Sequence, residues 1–238
     1  MTETLPPLRT THLFDAAGGR WCFDLWAGTG RPVVLIPAVL FDRTCWWPTA
    51  ADLRPYATVV AVDLPGHGGS PGRDRYELDD LVDDLAMLVD GLQLRRAPVI
   101  VGHGPSTTLA ALFAARYATH AVVAVDPIPA TCLCTGVDPY LRGLQITEIP
   151  EQYRDLVHAS HDTRLLDAYA AGLRHRRPAT AMIGVTPTRL AVHSRPPSEP
   201  ETDPQAANTW RQETYDVPGR FAPLAASRRF ITDLLTLL

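Results

Sequence analysis

The turn at residues 102–106, with the sequence GHGPS, stands where this chain would carry a nucleophile. An apolar run at residues 97–101 leads into it, and an apolar helical pattern follows from Thr107. A strand, a sharp turn and a helix in this order are typical of the G-x-S-x-G nucleophile elbow. Here the serine position is Gly104, which has no nucleophilic atom, and Pro105 after it has no backbone N–H to bind an oxyanion. We therefore expect Gly104 and Pro105 to form the floor of a binding pocket instead of reacting.

The composition excludes several other kinds of chemistry. All 22 basic residues are arginines, so no lysine can form a Schiff base, hold pyridoxal phosphate or act as a Walker lysine. A net charge of −4 gives no basic surface for nucleic acid, and no apolar run reaches membrane-spanning length. We expect a cytoplasmic protein that binds a small molecule or peptide, with no cofactor and no nucleic-acid or membrane partner. Its oligomeric state stays open.

Two groups of side chains in the sequence are of types that can bind a metal ion. Cys132 and Cys134 are separated by one residue, and residues 158–162 read HASHD. Neither group has a partner cluster at a recognised zinc spacing, and the four cysteines form no disulfide framework in a chain of 238 residues. We expect ordinary structural residues here and no metal.

The elements that must position these residues alternate along the chain. Short β-branched runs such as PVVLI, TVVAV and AVVAV alternate with helical patterns, which predicts βα units on a mostly parallel sheet. The strand pattern stops after Asp126 and resumes near Arg189. We therefore expect a core made of residues 1–127 and 188–238, with a helical cap at residues 128–187.

A second turn carries a family resemblance. Residues 63–70 read DLPGHGGS, and this D-x-P-G-x-G-x-S pattern followed by the GH of the elbow strongly resembles the α/β-hydrolase superfamily over nearly the whole chain. The resemblance implies an eight-stranded sheet flanked by helices, a small helical cap after strand six, and a pocket above the strand ends. Asp63 and His67 are expected to shape their turn.

The catalytic parts of that family are missing where the resemblance would place them. The H-G after strand three corresponds to Pro37-Ala38, although the amide of Val39 could still face the pocket beside Phe41. The loop after strand seven offers no carboxylate, and Arg220 stands where the family has its histidine. Arginine stays protonated and cannot act as a general base. We expect Val39, Phe41, Gly104, Pro105, Arg220 and Phe221 to bind substrate.

Two other side chains are candidates for catalysis. Asp126 ends strand six, where the haloalkane dehalogenases of this superfamily place their acid, and a carboxylate beneath an apolar cap could exchange protons with a substrate. The alternative is an aspartate that holds a loop or a helix N-terminus. His193 ends strand seven and could shuttle a proton, or it could be a hydrogen-bonded edge residue. Arg220 could anchor a carboxylate or phosphate, or lie on the surface.

Three functions follow from these residues. The first is a non-hydrolytic enzyme of specialised metabolism that uses positioning and proton transfer for epimerisation, cyclisation or elimination. It would be similar in kind to members of natural-product pathways that lack the triad, such as the bottromycin aspartate epimerase. The second is a catalytically inactive ligand-binding pseudoenzyme. The third is a hydrolase or esterase with a non-standard site, such as a water activated by Asp126. We rank the first slightly above the second, and both above the third.

Overall fold

The computed structural model describes residues 8–173, 187–196 and 210–238. Its strands are β1 (Thr10–Ala16), β2 (Gly19–Trp26), β3 (Arg31–Ile36), β4 (Ala57–Val62), β5 (Val99–His103), β6 (Ala121–Val125), β7 (Thr188–His193) and β8 (Arg211–Thr214). They form one eight-stranded sheet in the order β1-β2-β4-β3-β5-β6-β7-β8. β2 runs antiparallel to both neighbours, and all other neighbouring strands are parallel.

Helices cover both faces of this sheet. The α-helices of the described residues are α1 (Trp47–Leu53), α2 (Leu78–Gly91), α3 (Thr107–Arg116), α4 (Val137–Leu144), α5 (Thr163–Leu173), α6 (Ala222–Ala225) and α7 (Ser227–Leu235). The helical spacing of Leu81, Leu85 and Leu88 explains α2, because these leucines are buried while Asp79 on the opposite face is exposed. No helix of the described residues is both long and apolar enough to cross a membrane.

The sheet separates two apolar layers. Val34 and Ile36 face the layer shared with α2, α3 and the segment after β6, whereas Val33 and Leu35 face the layer shared with α1, α6 and α7. Strands buried on both sides must be apolar at every position, which is why the central strands are continuous hydrophobic runs. The predicted fold, a mostly parallel eight-stranded sheet flanked by helices, is confirmed.

At the C-terminus, the amphipathic pattern predicts one helix from about Ala225 to Leu238, and α7 lies within these bounds at Ser227–Leu235. The short helix α6 before it was not predicted; it is separated from α7 by Ala226, whose φ of −132° and ψ of 49° are not helical. Between β6 and β7, the described residues 128–173 contain α4, α5 and three 3₁₀ segments, at Ala130–Thr135, Ile146–Glu148 and Glu151–Leu156. The division into core and cap stays a prediction.

Candidate functional site

The elbow is built as a sharp turn between β5 and α3. Gly104 has a φ of 57°, in the left-handed region that favours glycine, and residues Gly104–Ser106 form one 3₁₀ turn before α3. A Cβ added at Gly104 would lie 3.3 Å from the Cβ of Ala38 and 3.8 Å from Ile128. Gly104 and Pro105 are both buried. The turn therefore has the predicted elbow shape, and neighbouring apolar side chains cover its floor.

His103, the last residue of β5, lies directly beneath the elbow. Its Nε2–H donates to the carbonyl oxygen of Arg220 at 2.7 Å, and its ring meets the Phe221 ring edge-on with centroids 4.9 Å apart. Burial lowers the pKa of His103, against the opposing effect of the Asp126 charge. The imidazole is thus neutral and its proton is used by a backbone carbonyl. Sequence reasoning did not single out this residue, although it belongs to the GHGPS motif.

Asp126 joins three separate segments at the end of β6. Its Oδ1 accepts from the Ser194 backbone N–H at 2.7 Å, while its Oδ2 accepts from the Ser194 hydroxyl at 2.7 Å and the Ala222 N–H at 3.4 Å. The residue is 0% exposed and has a φ of 43°, which is uncommon for a residue other than glycine. This carboxylate holds the loop after β7 and the start of α6. Sequence reasoning missed Ser194, for which no local motif provided a signal.

His193 lies on β7 and bonds toward β8. Its Nε2–H donates to Oε1 of Gln212 at 2.7 Å, and the residue is 8% exposed. This bond to the neighbouring strand fits the second interpretation of His193, a hydrogen-bonded edge residue. Its role in proton transfer stays a prediction.

Arg220 contributes its backbone to the site. Its N–H donates to Leu144 O at 3.2 Å, and its carbonyl accepts from His103. Within the described part of the chain, the half-buried guanidinium makes no hydrogen bond or ion pair. Its role as an anchor for an anionic ligand stays a prediction.

The loop after β3 is bound to the segment that follows β6 (residues 128–173). The Tyr140 hydroxyl donates to Val39 O at 3.1 Å, Ser160 N–H donates to Leu40 O at 2.7 Å, and Phe41 forms an isolated β-bridge with Ala159. Phe41 also meets Phe221 edge-on at 5.4 Å. The structure therefore brings the predicted binding residues Val39, Phe41 and Phe221 together around the elbow.

Within the described part of the chain, these residues pack closely against one another. The exposed fractions of Val39, Phe41 and Phe221 are 0%, 1% and 2%, whereas side chains that line a chamber would keep accessible surface. The void beside His103 measures about 10 Å³, which is the space of about one water molecule. A crevice of about 610 Å³ lies elsewhere, lined by residues 17–18, 72–75 and part of α2. A substrate at the elbow would require the segment after β6 to move.

The turn after β4 is held by a dense set of polar contacts. Asp63 accepts from the backbone N–H groups of Arg43 and Gly69, each at 2.7 Å, and pairs with the Arg43 guanidinium. Burial raises the pKa of Asp63, partly offset by the bonds from these two N–H groups. The Ser70 hydroxyl donates to Asp63 O at 2.9 Å and accepts from Cys22 N–H at 2.8 Å. The turn thereby joins β2, β4 and the segment after β3.

His67 in this turn holds the loop after β3 through a hydrogen bond. Its Nδ1–H donates to Pro65 O at 3.0 Å, and its Nε2 accepts from Leu40 N–H at 2.8 Å. Leu40 has a φ of 72°, which is strained for a side chain of this size. Burial lowers the pKa of His67 to about 4, so that the ring is neutral near pH 7 and can accept this bond. Within the described residues, no three His, Cys, Asp or Glu side chains are placed to hold a metal ion.

One curated relative matches part of the chain. A segment of 109 residues is 32% identical to the dihydrolipoyllysine-residue acetyltransferase component of the acetoin cleaving system of Pseudomonas putida. The match covers 44% of this chain and 29% of that protein, so that the chain spans less than a third of that relative's length.

Solved structures match almost the whole chain. The structure of E-2-(acetamidomethylene)succinate hydrolase has a TM-score of 0.78 at 18% identity, covering 96% of this chain and 98% of that one. The N-formylmaleamic acid deformylase of Pseudomonas putida S16 has a TM-score of 0.76 at 20% identity, covering 95% and 100%. An enzyme that cleaves the ring of the Pseudomonas quinolone signal has a TM-score of 0.79 at 17% identity, covering 95% and 99%. Identities this low show a shared fold.

The family assignment rests on the match at the sequence level. The model described as "Alpha/beta hydrolase family" matches residues 33–235, from β3 through the elbow to the last helix. The chain therefore belongs to the alpha/beta hydrolase family.

Proposed function

We propose that this chain is a non-hydrolytic member of the alpha/beta hydrolase family that binds a ligand without transforming it. The observation that carries this proposal is that the titratable side chains around the elbow already have structural partners. Asp126 accepts from Ser194 and Ala222, and the exchangeable proton of His103 is bonded to a backbone carbonyl. A general base needs a lone pair within reach of substrate, whereas Asp126 and His103 are 0% and 2% exposed.

The chemistry of the turn itself supports the same conclusion. Gly104 supplies no nucleophile, Pro105 supplies no oxyanion donor, and Arg220 cannot accept a proton at working pH. The elbow nevertheless keeps its geometry. The Arg220 side chain has no partner among the described residues. A carboxylate-bearing small molecule is the ligand class that this cation favours.

The first test measures ester hydrolysis. We expect the hydrolysis rates of p-nitrophenyl acetate and p-nitrophenyl butyrate with the wild-type protein to equal the uncatalysed rates. We expect the same result for Asp126→Asn. Turnover above background that falls in Asp126→Asn would contradict the proposal and favour a hydrolase with a water activated by Asp126. The same assay on Arg220→Gln controls for a cationic surface effect.

A non-hydrolytic enzyme that moves protons is the second candidate. It is favoured by one observation, namely that the buried Asp126 charge acts on His103 while an unpaired Arg220 lies in the same region. A panel of small carboxylic acids incubated with the protein in D₂O separates the two candidates by NMR. We expect no exchange of carbon-bound hydrogen. Exchange that is lost in both Asp126→Asn and Arg220→Gln would favour the epimerase, cyclase or lyase instead.

A further inference from the structure

The two edge strands of the sheet, β8 and β1, differ in length and in the ion pairs along them. β8 has four residues, and ion pairs run along it from Arg211 to Glu213 and Asp233 and from Arg229 to Glu213. β1 has seven residues, contains no proline or glycine, and pairs with β2 without a bulge along its whole length. No strand of the described residues lies on its outer side. A long, regular and unprotected edge is a template for pairing with another strand.

Exposed apolar side chains concentrate around β1. Leu13, in the middle of the strand, is 61% exposed, and Leu8, just before it, is 65% exposed. Met87 is 44% exposed on α2, one turn before Gly91, whose position faces the Phe14 ring of β1. Only Tyr56 completes the set of exposed large apolar side chains in the described part of the chain. Three of these four therefore border one edge of the sheet.

The charges on this edge are arranged so that the segment complements itself. Residues 8–16 read LRTTHLFDA, in which Arg9 and Asp15 are the formally charged residues and each lies three positions from His12. Within one copy, Arg9 lies 3.9 Å from Asp24 and over the Trp47 ring, and Asp15 pairs with Arg20, so a second copy would share these charges with their present partners. Antiparallel pairing of two copies about His12 would set Arg9 of each copy opposite Asp15 of the other. Parallel pairing would instead set like charges side by side, which is unfavourable. A two-fold axis requires the antiparallel arrangement.

We propose that β1 is a homodimer interface at which two copies of this chain pair antiparallel about His12. The two sheets then form one continuous sheet of sixteen strands, twice the eight of each copy. In this register Leu13 lies opposite Thr11 of the second copy and diagonal to its Leu13, within reach of a leucine side chain. The interface is separate from the elbow, so it holds whether or not the proposed function does.

The oligomeric state of the intact chain tests the proposal. We expect a dimer for the wild type by sedimentation velocity and light scattering, and a dimer at least tenfold weaker for Leu13→Lys. Tyr56→Lys is the matched control, because Tyr56 is 54% exposed and lies outside the edge, and it should remain dimeric. Equal melting temperatures of the two variants by circular dichroism would show that both are folded. A wild-type chain that stays monomeric up to about 100 µM would overturn the proposal.

Disulfide trapping tests the register. His12→Cys would place two cysteines opposite each other, where Cα atoms about 4.5 to 5.5 Å apart meet the requirement of a disulfide. Both this variant and the control Tyr56→Cys are made with Cys134→Ser, since Cys134 is exposed. We expect a covalent dimer from His12→Cys alone on a non-reducing gel. A dimer that persists in Leu13→Lys, with no trapping at His12→Cys, would place the interface elsewhere and refute the proposal.

Discussion

Two turns at the carboxyl edge of the sheet differ in what their polar groups do. In the turn after β4, the motif is complete and its residues bind one another: Asp63 holds Arg43 and Gly69, and Ser70 joins β2. In the elbow after β5, Gly104 stands at the nucleophile position, and His103 is bonded to Arg220 O while the buried hydroxyls of Ser106 and Thr107 have no partner among the described residues. The polar groups of the first turn therefore hold the fold together more completely than those of the second.

Removal of the carboxylate from the turn after β4 should have the largest effect. Asp63→Ala leaves two backbone N–H groups without their acceptor, and it leaves the Arg43 guanidinium with Asp24 as its remaining carboxylate partner. We expect the free energy of unfolding to fall by about 3 to 5 kcal/mol, as for a broken buried ion pair, measured by urea denaturation. Asp15→Ala is the control, because its pair with Arg20 is exposed, and its midpoint should not move. Similar midpoints for both variants would remove the structural role assigned to Asp63.

The pH dependence of stability should report on His67 in the same turn. Its pKa is about 4 in the folded chain against 6.5 for the free side chain, so the unfolded chain binds more protons between these values. Stability should therefore decrease as the pH falls from 6.5 to 4, by about 3 kcal/mol from this group. In His67→Gln, which retains an acceptor for Leu40 N–H, this part of the slope should disappear. An unchanged slope would assign the pH dependence to other groups.

Substitution of Asp126 should cost less than substitution of Asp63. Asp126→Asn keeps one acceptor oxygen but presents an amide N–H₂ toward donors that now bind Oδ2. We expect a loss of about 1 to 3 kcal/mol in the free energy of unfolding, because no cation loses a carboxylate partner. Ser194→Ala removes only the hydroxyl bond and should cost about 1 kcal/mol. A larger loss than for Asp63→Ala would reverse the ranking of the two turns.

Introduction of a serine at the elbow should have a small effect on stability and give no catalytic gain. Gly104→Ser forces a side chain into a φ of 57° and within 3.3 Å of Ala38, which should cost about 1 to 2 kcal/mol. Gly143→Ser is the control, since a Cβ there meets nothing within 4 Å and the residue lies in α4. We expect neither variant to hydrolyse p-nitrophenyl esters. Ester hydrolysis by Gly104→Ser would show that a working base and oxyanion donors are still present.

The sheet was largely predictable from local sequence. Strands buried on both faces are continuous apolar runs, and β6 occupies the five residues predicted for it, Ala121–Val125. The last strand is predicted near residues 213–217 and lies at Arg211–Thr214, because a short edge strand with charged residues has no apolar pattern to mark it. The short helix α6 was not predicted, since four residues are too few to give a helical pattern.

The candidate site was predictable in what it lacks and much less in what replaces it. Gly104 and Arg220 can be read directly at the positions where the family resemblance places a nucleophile and a histidine. The partners of Asp126 lie 68 and 96 residues away in sequence, at Ser194 and Ala222, and no local pattern indicates them. The close contact of Phe41 with Phe221 is likewise a product of tertiary packing.

The bonds that close the elbow have a consequence for the order of folding. His103 and Arg220 are 117 residues apart, and Tyr140 and Val39 are 101 residues apart. Contacts of this separation incur the entropy of large loops before they form, whereas the β1–β2 hairpin closes locally. The elbow should therefore be among the last regions to become protected from hydrogen exchange during refolding.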